Sequence, residues 1–149
     1  MSRLFRSILS VCALGALCVA QAGTTANNLV IVIANGPLAG TFKANPSNVF
    51  CLHARKQRVY SSAFKDYAAK DPGSLAEAGV EVVNPDASGE KRANIRVTFG
   101  DLNNKPTVYA IDAVSAVFNI ANGTISAEGK TQSGIGVKVT AACANVTEF

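Results

Sequence analysis

The sequence predicts a mainly β fold, a small antiparallel β-sandwich or partly closed barrel of about 7–9 short strands, with one or two short helices near residues 60–78. Three observations predict it. Apolar and β-branched residues occur in short runs or alternate with polar ones. Clusters of Asn, Gly, Pro and Ser punctuate those runs at regular intervals. Only two cysteines, Cys51 and Cys143, follow an apolar leader, and they stand far apart.

The leader reads as a signal peptide. Arg3 and Arg6 precede an apolar run from Ser7 to Val19, and Ala20-Gln21-Ala22 offers the small-x-small pattern of a cleavage site. The run is shorter than the roughly 20 residues that cross a bilayer, so no transmembrane segment is expected in the mature chain. Cys18 follows Leu17 rather than the small residue that lipidation requires. Cleavage after Ala22 leaves residues 23–149, 127 in all, enough for a single domain with a real core. The expected destination is periplasmic or extracellular. There an isolated pair of cysteines closes on itself, so Cys51 and Cys143 are expected to form a structural disulfide.

Each element follows from local chemistry. Leu29–Ile33 is an uninterrupted β-branched run, expected as a strand buried on both faces. Leu38 to Lys43 and Val49 to His53 read as two short strands around the turn Asn45-Pro46-Ser47-Asn48. Val59 to Phe64 suits a strand, but Tyr60, Phe64, Tyr67 and Ala68 fall at helical spacing, and a short helix ended by Asp71-Pro72-Gly73 is favoured. Ser74 and Glu77 have capping-box spacing, which predicts a second helical turn stopped at Gly79. Beyond it Val80 to Val83, Ile95 to Phe99, Thr107 to Ile111, Ser115 to Ile120, Thr124 to Lys130 and Ile135 to Cys143 carry the β pattern. Asn122 and Gly123 form the strongest hairpin signal, because both tolerate positive φ. The final residues, 145–149, read as a frayed end.

Charge and chemistry narrow the function classes. Of the 14 basic residues Arg3 and Arg6 belong to the leader, so 12 face all 10 acids and the mature net charge is about +2. That balance gives no global attraction to polyanions, and export argues against nucleic acid as a partner. His53 is the one histidine, no Cys-x-x-Cys is present, and no Gly-x-Ser-x-Gly elbow accompanies any serine. No metal, cofactor or catalytic site is expected, and His53 reads as a packed or surface residue beside Cys51. Asp112, between Ile111 and Ala113, is the least conventional acid. A small hydrolase using His53 or Asp112 is the weaker alternative.

One constellation stands above background. From Lys43 to Lys70 the cations Lys43, Arg55, Lys56, Arg58, Lys65 and Lys70 face a single acid, Asp66, with Phe42, Phe50, Tyr60, Phe64 and Tyr67 interleaved. Its sharpest form assigns anion contacts to Arg55, Lys56 and Arg58 with Tyr60 as a neighbouring ring, which suits an anionic glycan or lipid headgroup. The expected protein is thus non-enzymatic, a binding or structural accessory module for anionic envelope components. An alternative is a subunit of an envelope assembly, pairing with another chain through an apolar edge such as Leu29–Ile33.

Overall fold

The computed structural model describes residues 26–149. The expected leader, residues 1–22, and its cleavage point lie outside them. Ten strands follow in order: β1 (Asn28–Ile33), β2 (Gly40–Lys43), β3 (Val49–Ala54), β4 (Val59–Lys65), β5 (Leu75–Val83), β6 (Lys91–Phe99), β7 (Thr107–Asn119), β8 (Thr124–Lys130), β9 (Gly136–Ala142) and β10 (Thr147–Glu148). They make one sheet in the order β10-β3-β4-β5-β6-β7-β8-β9-β1-β2. All neighbours are antiparallel except β10, which runs parallel to β3. The sheet curls until β1 lies against β4 and β9 against β5, a half-barrel with its core inside. Its long strand, β7, pairs with β6 along its first part and with β8 along its last, so it carries the sheet around the bend. At the bend the β6–β7 register shifts, and Ala113 adopts φ +53 there. The side-chain oxygen of Asn94 accepts from the Ala113 amide at 3.0 Å and holds this bulge.

The core is built from the inner faces of the strands, chiefly Leu29, Ile31 and Ile33 from β1, Tyr60 and Phe64 from β4, Val80 and Val82 from β5, Ile95, Val97 and Phe99 from β6, and Val137 and Val139 from β9. Each such side chain removed from water contributes about 1.5–3 kcal/mol. Phe42 of β2 packs edge-on against Phe99 at 4.7 Å between ring centres, joining one end of the sheet to its middle. The seam between β1 and β3 is tied by Asn27, whose side chain donates to the Val49 carbonyl at 3.0 Å and accepts from the Asn145 amide at 2.9 Å. Cys51 and Cys143 lie at disulfide distance across the same seam, Cα atoms 5.9 Å apart.

Several expectations are corrected. Among the described residues the one helical turn is Pro46–Asn48, and residues 60–78 hold no α-helix. Tyr60, Ser62 and Phe64 all point inward, so this is a strand. A spacing of four residues suits a strand's period of two as well as a helix's 3.6, and the two periods coincide at Tyr60 and Phe64. In β5 the inward residues are Ala76, Ala78, Val80 and Val82, with Glu77, Gly79 and Glu81 outward. Small alanines concealed that alternation, and Gly79 is a strand residue rather than a helix stop. β1 is buried on one face only. It is not an edge either, because β2 and β9 flank it. Thr107–Ile111 and Ser115–Ile120 fuse into β7. The Asn122-Gly123 hairpin is wider than a two-residue turn, since Asn119 pairs with Thr124, and Gly123 alone of the two takes positive φ. The C-terminus is docked as β10, not frayed.

Candidate functional site

One end of the half-barrel gathers two of the four buried polar side-chain atoms that lack a hydrogen-bond partner among the described residues. The β3–β4 turn, the β5–β6 loop, the β7–β8 hairpin and the C-terminal segment meet there. Alternation along β3 turns Val49, Cys51 and His53 inward, and His53 pairs across the ladder with Tyr60 of β4. Their rings lie 5.6 Å apart, and Tyr60 packs in turn on Phe118 at 4.8 Å. Both side chains are buried, His53 at 1% exposure and Tyr60 at 2%.

His53 is flanked by two carboxylates. Its Nδ1 lies 3.6 Å from Glu148 Oε1 and its Nε2 3.8 Å from Asp86 Oδ2. At these separations neither contact is a direct hydrogen bond. Glu148 is placed by β10: the Phe149 amide donates to the His53 carbonyl at 3.3 Å and the Arg55 amide to the Phe149 carbonyl at 3.1 Å. Arg55 also grips Glu148 with two nitrogens, at 2.8–3.2 Å. That guanidinium holds the Glu148 carboxyl below the usual carboxylate range, with His53 acting in the same direction. Burial pushes the Tyr60 phenol up.

Two hollows flank this group. A pocket of about 500 Å³ is lined by His53, Tyr60, Ile120, Asn122, Val146 and Glu148, among others. A smaller cleft of about 330 Å³ lies between Arg55, Arg58, Asn84, Asp86 and Ala87. The Arg55–Glu148 and His53–Asp86 contacts stand between them. Two residues that line the larger pocket carry a fully buried polar atom without a hydrogen-bond partner, His53 Nε2 and Tyr60 Oη; of these Nε2 faces Asp86 of the smaller cleft. The hydroxyls of Ser62 and Thr98 share that condition, but neither lines the larger pocket.

The residues singled out by sequence separate into two groups. Arg55, Lys56 and Arg58 share the β3–β4 turn, whose shape is fixed by φ +56 at Arg58 and by the Asn84 amide donating to the Arg58 carbonyl at 2.8 Å. Tyr60 faces the core instead and offers no exposed ring beside them. Lys65 pairs with Glu77 of β5 and Lys70 with Asp101 of the β6–β7 loop, so part of the basic stretch is neutralised by acids from other segments. Lys56 and Arg58 make no ion pair among the described residues. Asp112 is exposed on the outer face of β7, beside a shallow hollow with Ser61, Glu81, Asn94 and Arg96, and the fold does not bring it to His53. Sequence reasoning missed Glu148, Asp86 and Asn122 as neighbours of His53. The usable signal was the period of two through Tyr60, Ser62 and Phe64, which places Tyr60 inward opposite His53. No family model, curated protein or solved structure matches the chain.

Proposed function

We propose that this protein is an exported, non-enzymatic binding module, periplasmic or extracellular, that engages phosphate- or sulfate-bearing envelope material through the β3–β4 turn. The observation that carries the reading is that Lys56 and Arg58 make no ion pair among the described residues in a turn of fixed backbone, and that Arg58 lines a cleft with Arg55 and Asn84. A rigid turn presents its cations with little ordering entropy left to lose on binding. Asp86 lines the same cleft but is turned toward His53. A hydrolase has less support, because a general base must reach a substrate proton and His53 Nε2 is sealed from water.

The test is co-sedimentation of the mature chain with vesicles of phosphatidylglycerol or of phosphatidylcholine, and in parallel a sulfated glycan column, across a salt series. Binding to the anionic vesicles or to the sulfated glycan should weaken steadily as salt rises, and less steeply for Lys56→Ala/Arg58→Ala. Absent or salt-insensitive binding removes the reading. A second reading, a subunit of an envelope assembly joined through a strand edge, is favoured by one observation. β10 covers only Leu52 and His53 of β3, leaving the edge at Phe50–Cys51, where Phe50 is 58% exposed. A concentration-dependent mass on a sizing column is the outcome it requires.

A further inference from the structure

The cationic turn and the buried imidazole share their acids. We infer that anion binding at the turn is coupled to a proton on His53, the cleft holding its ligand more tightly when the ring is protonated, a coupling that rests on the anion reading and names its regulation.

His53 stands between the two acids that govern the turn. Its Nε2 lies 3.8 Å from Oδ2 of Asp86, a side chain 61% exposed that lines the smaller cleft with Arg55 and Arg58. Its Nδ1 lies 3.6 Å from Oε1 of Glu148, the same oxygen that Arg55 Nη2 grips at 2.8 Å. With a neutral ring, Asp86 sets a negative charge against any anion that enters the cleft, and Glu148 draws on Arg55 alone for a positive partner among the described residues. A proton on the ring changes both conditions. The imidazolium places a positive charge behind Asp86 and offsets its repulsion, and it competes with Arg55 for Glu148 Oε1, which leaves more of the guanidinium's charge to the cleft. The ring is only 1% exposed, so salt screens that charge less than it screens one on the surface.

The ligand itself need not touch the imidazole, since the effect passes through Asp86 and the Arg55–Glu148 pair. Around the ring stand Asp86 from the β5–β6 loop, Glu148 from β10, Arg55 from the β3–β4 turn and Tyr60 from β4. The β7–β8 hairpin brings Asn122, which does not titrate. The main chain of Phe149 bonds to the backbone of His53 and Arg55, not to the ring. Of these side-chain types only histidine ordinarily changes charge between about pH 5 and 8, and His53 is the one histidine in the chain. A proton reaches it from the larger pocket, which His53 lines together with Glu148. Coupling of this kind is reciprocal: whatever the proton adds to anion affinity, the anion adds to proton affinity.

The test measures the affinity of the disulfide-intact mature chain for phosphatidylglycerol vesicles and for a sulfated glycan, at about pH 7.5 and about pH 5.5 and at one ionic strength. Both probes keep their charge over this range. Binding should be about fivefold tighter at the lower pH, the small end of couplings between two sites. His53→Gln should bind equally at both, and Asp86→Asn should bind more tightly than wild type at the higher pH and gain less on acidification. In the unaltered protein a short sulfated oligosaccharide should move the titration of the His53 ring resonances to higher pH. Salt-sensitive binding with one affinity at both pH values overturns the coupling and leaves the anion reading standing. So does a gain that persists in His53→Gln, or a His53 titration that the oligosaccharide leaves in place. Absence of binding at either pH removes the anion reading and the coupling with it.

Discussion

Replacing Cys51 and Cys143 together by alanine is expected to lower stability by about 4–5 kcal/mol. The bond closes a loop of 92 residues, and in the chain-entropy model a loop of that length restricts the unfolded state by about 4.6 kcal/mol at 25 °C. Both sulfurs are buried, so the loss of their packing adds to this figure. A domain of this size has a total stability of about 5–15 kcal/mol, so the double variant keeps half or less over much of that range. The fall in Tm should be roughly 15 °C. The chain has no tryptophan, so far-UV circular dichroism in urea and on heating is the suitable readout. A loss below about 1.5 kcal/mol would refute the reasoning, because it would mean that the entropy of that long loop is not what the bond removes. The seam would then rest on Asn27 and its two bonds, to Val49 and Asn145.

Gly123→Ala should destabilise by at least about 2 kcal/mol, combining a left-handed conformation with a backbone clash. Its φ is +64 and the new Cβ would sit 2.6 Å from the Cys143 carbonyl oxygen; equilibrium urea unfolding checks it, and a near-neutral result would show that the hairpin can shift. The Arg55–Glu148 contact predicts an acid-sensitive C-terminus. Because the folded Glu148 carboxyl titrates below its usual range, its contribution is fully present above the ordinary glutamate value and fades as pH falls through the lower folded one. Protection of the Thr147–Phe149 amides, corrected for the intrinsic pH dependence of exchange, should fall in that window, and Glu148→Gln should abolish that fall.

The β class and most strand positions were legible because they rest on local pattern, and the Cys51–Cys143 pair because no other cysteine follows the leader. Ile95, Val97 and Phe99 alternate with polar residues in sequence and do so in β6. The errors arose where local pattern is degenerate. Tyr60 and Phe64 satisfy two periods at once, and the alanines of β5 carry too little hydrophobicity to reveal which face is inward. The candidate site was barely legible, for a different reason. His53, Asp86, Asn122 and Glu148 come from four separate segments, and only the curl of the sheet brings them together. The one neighbour that pattern could have supplied was Tyr60, which depended on reading β4 as a strand. The cationic turn shows the converse. Six cations close in sequence look like a patch, but acids from other segments, Glu77 on β5, Asp101 in the β6–β7 loop and Glu148 on β10, pair with three of them.

The position of the disulfide ties stability to the pocket. Cys143 closes on Cys51, two residues before His53 on the same face of β3. The last residues of the chain are thereby delivered alongside His53, where β10 adds in parallel, Glu148 meets Nδ1, and Val146 reaches the rim. Cys143 also donates its amide to the Gly123 carbonyl at 3.0 Å, which pins the hairpin that roofs Tyr60. One covalent link therefore fixes two sides of the same pocket. A two-residue strand and a solvent-exposed ion pair hold weakly by themselves. Without the link they are poor means of keeping Glu148 beside a buried imidazole. The cystine is thus the element on which both the seam of the barrel and the geometry of its polar pocket depend.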